Sequence, residues 1–252
     1  MPSPGALCLA AGGLVAAYLL GAIPFGYLAG RLRGIDVRTV GSGNIGATNV
    51  ARALGRPWGI AVFLLDAGKG FAAAGPLTWM VLHFMTSALA DGQFRNGLAP
   101  LYALAVSAGH NWPVFLGFRG GRGVATTAGA LLALAWLPAV VGLATWAVMV
   151  AIFRYVSLAS LVAALVTTGL CIALAVREGK LAATWPVWGL TAVLAVLIFV
   201  RHRANIGRLF RGEEPKIGAK KAGAGGQGSE AGDAGGTVDR NAVGASAAED
   251  GK

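Results

Sequence analysis

The sequence predicts an all-α integral membrane protein with seven transmembrane helices, its N-terminus outside and its C-terminus in the cytoplasm. Three observations predict this. Of the 252 residues, 56% are hydrophobic and only 13% are charged, against about 25% charged in an ordinary soluble domain. The apolar residues are gathered into runs long enough to cross a hydrocarbon core of roughly 30 Å, which takes about 20 residues of helix. The basic residues stand in short clusters between those runs, and most fall on the connections that one orientation places in the cytoplasm. A soluble globule, a coiled coil and a disordered chain all fit this composition poorly.

The runs cover residues 7–29, 58–78, 98–118, 124–153, 156–176 and 182–200. The first reads as a retained span rather than a cleavable leader, because no Lys or Arg precedes it and Arg31 and Arg33 follow it. The fourth holds no charge over its whole length, and as one helix it would extend about 45 Å. Pro138 stands near its middle, where a proline kinks or breaks a helix. It is therefore one kinked span or two short ones.

Charge bias decides for two. The cytoplasmic side then holds Arg31, Arg33, Arg38, Arg52, Arg56, Arg119, Arg122, Arg154, Arg201, Arg203, Arg208 and Arg211, and the outer side only Arg95, Arg177 and Lys180. Lys69 lies within a span. A six-span count spreads the same residues far more evenly, against the rule that cytoplasmic loops are the basic ones. Residues 1–217 thus form a transmembrane domain. Residues 218–252 are Gly/Ala-rich with almost no large apolar side chain, and are expected to be a disordered cytoplasmic tail.

The net charge of +10 is not a nucleic-acid signal. From Glu213 onward acids outnumber bases, so the excess belongs to the short loops between spans. That pattern orients a membrane protein rather than tracking a phosphate backbone. The two cysteines, Cys8 and Cys171, both lie in apolar runs and supply neither a disulfide framework nor a Cys-based zinc site.

Three polar, glycine-rich segments fall at the cytoplasmic ends of the predicted spans. The first, residues 41–52, contains Ser42, Gly43, Asn44, Gly46, Thr48, Asn49 and Arg52. Its Gly41-x-Gly43-x-x-Gly46 spacing is formally a dinucleotide fingerprint, but that motif needs a strand before it and a βαβ unit around it. A membrane span precedes it here. What remains is free backbone amides, hydroxyls, carboxamides and one cation, a set suited to phosphate and hydroxyl groups. The competing reading is a loop that only turns the chain.

The second segment places Gly120, Gly121 and Gly123 just before an apolar helix beginning near Val124, flanked by Arg119 and Arg122. Unencumbered amides at a helix N-terminus form an anion site; a tight turn with cytoplasmic anchors is the alternative. The third carries His202 and Asn205 on one helix face, beside Arg201, Arg203 and Arg208. Asp66 and Lys69, three residues apart, lie within the second span, where charged groups face a cavity or one another. Between these two, Lys69 is the one expected to reach a ligand. His110 is expected to order the turn into the second segment, and His83 to lie at the outer interface. No HExxH motif, GxSxG elbow or metal-ligand cluster is present.

Taken together, the segments resemble the bacterial acyl-phosphate:glycerol-3-phosphate acyltransferase family (PlsY). The likeness runs from the first span to about Glu214, through the Gly-Ser-Gly-Asn and Ala-Thr-Asn-Val stretches with Arg52, the Asp66-x-x-Lys69-Gly70 element, Gly109-His110 with Pro113 and Phe115, the glycine-rich motif, and His202-x-x-Asn205-Ile206 with Arg208-Leu209. The resemblance implies acyl transfer from an acyl-phosphate to the 1-hydroxyl of glycerol 3-phosphate, giving lysophosphatidic acid and phosphate. It implies a multi-pass protein of the bacterial plasma membrane, acting as a monomer at the cytoplasmic side, with membrane lipid around it and no cofactor, metal or nucleic acid.

By the same resemblance Ser42, Arg52, Arg122 and Asn205 bind glycerol phosphate, and Lys69 and His202 line the same pocket. Gly43, Asn44, Gly46, Thr48 and Asn49 complete the substrate-binding set, and the amides of Gly120, Gly121 and Gly123 hold the donor phosphate. The donor's own phosphate takes the hydroxyl proton, so no protein base is required. Glu214 is expected to be structural. The chain departs from the usual pattern at Arg119 and Arg122, where lysine is common; arginine keeps the charge but presents a planar fork. A small-anion membrane transporter is the alternative function, and it requires a site near the bilayer midplane.

Overall fold

A computed structural model describes residues 2–85 and 91–218. Among these residues the chain is all-helical, with eleven α-helices, one π-helical turn and one 3-10 turn. The tail beyond residue 218, for which disorder is expected, lies outside the described residues.

The first apolar run forms α1 (Pro4–Ala22) and α2 (Phe25–Leu32). Ser3 caps α1 by accepting from the amide of Ala6, and Pro24, which has no N–H, interrupts the ladder between the two helices. A short α3 (Ala47–Leu54) follows the first polar loop, and α4 (Arg56–Ala72) continues through a π turn at Ala73–Leu77 into α5 (Thr78–Phe84). Then come α6 (Gly92–Asn111), α7 (Val124–Leu134), α8 (Trp136–Phe153), α9 (Val156–Arg177), α10 (Trp185–Arg201) and α11 (Arg203–Phe210).

Among the described residues, four helical stretches are long and apolar enough to cross a membrane: Pro4–Leu32, Arg56–Phe84, Trp136–Phe153 and Val156–Arg177. A fifth arises if α10 and α11, bent by 60°, count as one span. Large apolar side chains such as Leu64, Val148, Ile152, Leu165 and Val196 cover the outside of the bundle, a surface that suits lipid and not water.

Two expected boundaries move. The long run does break into two helices, but at Ala135 rather than Pro138. Pro138 falls in the first turn of α8, where a missing N–H removes no intrahelical bond, so the proline starts a helix instead of kinking one. The resulting α7 has 11 residues, about 16 Å at 1.5 Å per residue. The third expected span, 98–118, becomes a helix over 92–111. Pro113 forces Trp112 out of the α region, to φ −134° and ψ 66°, and the helix stops there.

Packing is pairwise: α1 along α6, α4 along α7, α8 along α9, with α3 against α4 and α10 against α9. The α1–α6 contact is close enough that a Cβ at Gly109 would overlap the backbone of Tyr18 and Ala22, the small-residue packing expected between helices in lipid. Tyr102 of α6 is buried against α1 and donates its hydroxyl to Ala10 O at 3.0 Å. Most of the C-terminal half of α6 is buried, including Ser107, His110 and Asn111, so this polar-bearing helix is lined by protein. Its end, the loop before α3, the N-terminus of α7 and the α10–α11 junction meet around one cavity.

Candidate active site

The first polar loop is built by Asn49, which is almost fully buried. Its Nδ2 donates to Val37 O at 2.8 Å and Val40 O at 3.0 Å, and its Oδ1 accepts from the Ser42 amide at 2.9 Å. Asn44 closes a smaller turn, its Oδ1 accepting from Gly46 N at 2.7 Å. Both carboxamides are thus engaged in shaping the loop. Ser42, Thr48 and Arg52 line the cavity, and among the described residues the only side-chain bond of Arg52 is a long one, Nη2 to Pro215 O at 3.4 Å.

The glycine-rich loop is carried by the end of α6. Gly121 N donates to His110 O at 3.0 Å, and its Cα packs so close to the His110 ring that a Cβ would overlap it. The Gly121 amide is therefore already used, which corrects its expected role as an anion ligand. Gly123, in the left-handed region at φ 79°, delivers the chain into α7. The first-turn amides of that helix have no intrahelical acceptor, and Gly123, Val124 and Ala125 line the cavity together with Arg122. Gly43 and Gly120 shape their loops without lining it.

Lys69 lies elsewhere than expected. Its ammonium is held by Asp66 Oδ1 at 2.8 Å, by the Ile23 carbonyl at 2.9 Å beside the Pro24 break, and by the face of Phe25 at 5.5 Å. With all its capacity spent on protein it does not reach the cavity, whereas Asp66 does, with His110 Nδ1 3.5 Å away. The pair is a packing device of α4 whose carboxylate faces the site.

At the third segment, His202 Nδ1 lies 2.8 Å from Ile198 O. A carbonyl only accepts, so Nδ1 carries the proton and Nε2 presents a lone pair. His202 follows the last residue of α10, and burial, aided by the Arg122 cation, pushes it down to about 4, so it is neutral at physiological pH. Asn205 Nδ2 donates to Glu214 Oε1 at 2.6 Å, while its Oδ1 is buried without a protein partner. Glu214 also accepts from Ser157 Oγ at 2.7 Å and Arg208 Nε at 2.8 Å. Burial pushes the Glu214 carboxyl up, but the bonds from Asn205, Ser157 and Arg208 outweigh it and hold it below its ordinary value. Glu214, expected to be structural, shapes the site together with Ser157, which the sequence did not single out. Ser157, in an apolar run, carries no signal at all.

The cavity that gathers these groups, with its open mouth included, spans about 830 Å³. Arg52, Arg122 and Arg208 line it, with Glu214 as the compensating acid on Arg208. Burial pulls the Arg122 guanidinium below its ordinary value, and the neighbouring Arg208, Arg201 and Arg52 charges add to this against Glu214 alone. Among the described residues neither Arg52 nor Arg122 has an ion-pair partner. A cationic excess of this kind is complementary to anions. Phe63, Val124, Trp146 and Ser160 line both this cavity and a second, apolar cleft of about 580 Å³ between α7, α8, α9 and α10. A charged compartment therefore lies beside an oily one, the two sharing four wall residues.

Comparison with known proteins agrees with this geometry. The family model described as glycerol-3-phosphate acyltransferase matches residues 11–212. A glycerol-3-phosphate acyltransferase of Rhodospirillum rubrum is 47% identical over 211 residues, covering 82% of this chain and 90% of the relative. That of Paramagnetospirillum magneticum is 46% identical over 205 residues, covering 81% and 92%. Among solved structures, PlsY (YgiH), an integral membrane glycerol 3-phosphate acyltransferase, matches in its glycerol 3-phosphate form with a TM-score of 0.70 at 38% identity, over 83% of this chain and 96% of that one. Its lysophosphatidic acid form matches with a TM-score of 0.69 at 37% identity. An all-helical membrane bundle, a cationic cavity built from three separated motifs and this sequence likeness lead to one statement: the chain belongs to the glycerol-3-phosphate acyltransferase family.

Proposed function

We propose that this protein transfers a fatty acyl group from an acyl-phosphate to the 1-hydroxyl of glycerol 3-phosphate, as a seven-span monomer working at the cytoplasmic face of the bacterial plasma membrane. The observation that carries the reading is the cavity of Arg52 and Arg122 set against an apolar cleft, with Phe63, Val124, Trp146 and Ser160 in both walls. The two reactants are anions, one with a long alkyl chain, and each compartment suits one of their parts. A small-anion transporter has no use for the oily cleft.

In this reading the phosphate of glycerol 3-phosphate meets Arg52, Arg122 and the Ser42 hydroxyl. Its hydroxyls donate to Asn205 Oδ1, which has no protein partner, and to His202 Nε2. The donor phosphate lies at the N-terminus of α7, against amides the helix leaves unpaired. The 1-hydroxyl oxygen attacks the acyl carbonyl carbon, the bond from that carbon to the phosphate oxygen breaks, and the hydroxyl proton leaves on the released phosphate. An acyl-phosphate is a mixed anhydride and already activated, so positioning and charge neutralisation supply the acceleration.

The test is purified protein in detergent with palmitoyl phosphate and glycerol 3-phosphate, without coenzyme A or added metal. Lysophosphatidic acid and phosphate should appear in equal amounts. A folded protein that makes neither, or that works only with an acyl thioester, overturns the proposal.

A further inference from the structure

Arg201 ends α10, directly before His202, yet it does not line the cavity. Its guanidinium reaches sideways into the glycine-rich loop: Nε donates to Gly121 O at 3.0 Å, and Nη2 to Gly121 O at 2.6 Å and Gly120 O at 3.0 Å. The same guanidinium lies over the Trp112 ring, 5.7 Å from its centroid. These contacts fix two consecutive peptide planes. In a trans peptide the carbonyl and the following N–H point in opposite directions. The Gly120–Gly121 peptide is held at both ends, its oxygen by Arg201 and its N–H by His110 O. The Gly121–Arg122 peptide has its oxygen on Arg201, so the Arg122 amide is turned to the opposite side, next to the left-handed Gly123 that opens α7.

We infer that Arg201 is a positioning residue for the acyl-donor end of the site. By tying two carbonyls away from the cavity it aims the Arg122 amide and the first turn of α7 at an incoming phosphate, and it removes oxygen lone pairs that would repel that phosphate. The inference rests on the function proposed above. The guanidinium bonds both carbonyls through Nη2 and adds a second bond to Gly121 O from Nε, which the single nitrogen of lysine cannot supply. Because His202 follows Arg201 directly, the residue that shapes the donor end is joined by one peptide bond to a residue of the acceptor end.

The experiment compares Arg201→Gln and Arg201→Lys with the exposed control Arg211→Gln, measuring KM for palmitoyl phosphate and glycerol 3-phosphate separately. Thermal stabilisation by a non-hydrolysable acyl phosphonate and by glycerol 3-phosphate is measured in parallel. Losing the two-carbonyl clamp should raise KM for palmitoyl phosphate roughly tenfold. KM for glycerol 3-phosphate should stay within about twofold, and Arg201→Lys should recover part of the loss. The phosphonate should stabilise Arg211→Gln like the parent and Arg201→Gln much less. Equal rises in both KM values, or unchanged KM values with less folded protein, overturn the inference. If the parent makes no product, the proposed function fails while the phosphonate measurement still decides the role of Arg201. A phosphonate that stabilises none of the proteins overturns both.

Discussion

Replacing Glu214 by Gln keeps the shape of the side chain and removes its charge. The carboxylate serves three donors, Ser157 Oγ and Asn205 Nδ2 on Oε1 and Arg208 Nε on Oε2. A carboxamide has one oxygen, so if it keeps Ser157 and Asn205 its NH2 faces Arg208 donor to donor. A hydrogen bond to a charged group contributes about 1.5–3 kcal/mol, and the partial exposure of Arg208 takes this to the lower end. The two remaining bonds weaken as well, because charge-assisted bonds are roughly twice as strong as neutral ones. The sum is about 2–4 kcal/mol, or roughly 5–10 °C in the unfolding midpoint for a protein of this size.

The pH dependence follows from the sign of the shift. Glu214 titrates below its ordinary value of 4.5 in the folded protein. Its contribution is therefore complete above that pH and is lost as pH falls through the folded value. The difference between parent and Glu214→Gln should be full at pH 7 and shrink in acid below about 4.5. Thermal unfolding in detergent at both pH values measures it. Equal midpoints at pH 7, or a gap that does not close in acid, refute the assignment of this carboxylate as the tie between α9, α11 and the segment following it.

Arg52→Ala should raise KM for glycerol 3-phosphate tenfold or more, as expected for losing a charge-assisted contact to phosphate, with the midpoint nearly unmoved because Arg52 makes only one long protein bond. Gly121→Ala, whose Cβ would overlap the His110 ring, should abolish activity even in whatever fraction folds; wild-type turnover refutes the geometry. Lys69→Met, which leaves Asp66 without its partner inside the bundle, should lower the yield of folded protein by the several kcal/mol typical of a broken buried pair. A selective change in glycerol 3-phosphate KM would instead make Lys69 a ligand. Orientation is read by thiol labelling on a Cys8→Ala background. A cysteine at Lys180 should react from outside intact cells and one at Arg33 only after permeabilisation; the reverse result inverts the topology.

The outline of this protein was legible because membrane helices announce themselves by composition and their connections by charge. The boundaries were less so. Pro138 and Pro113 are equally visible in the sequence, yet one opens a helix and the other closes one, and which occurs depends on what precedes each proline in three dimensions. The three polar segments stood out in the sequence by their density of glycine, hydroxyls and cations at helix ends, and the fold brings residues of all three to one cavity. The division of labour inside them was not legible. Asn49 and Lys69 look like ligands by type, and only the positions of Val37, Val40, Ile23 and Phe25 reveal that they are spent on the protein itself. Ser157 and Arg201 act across long sequence separations, and one sequence carries no record of such pairings.

Helix α6 carries Arg95, Asn96, Ser107, His110 and Asn111 and is absent from the stretches apolar enough to cross a membrane unaided. A segment of this kind has little reason to leave the insertion machinery for bare lipid. The groove offered by α1, with its glycines and the Ala10 carbonyl that receives Tyr102, gives it a proteinaceous berth instead. Biogenesis should then be ordered: α1 waits in the bilayer as a docking rail, and α6 enters by pairing with it. Widening the rail at Gly13 or Gly21 should strand α6 before any chemistry is affected.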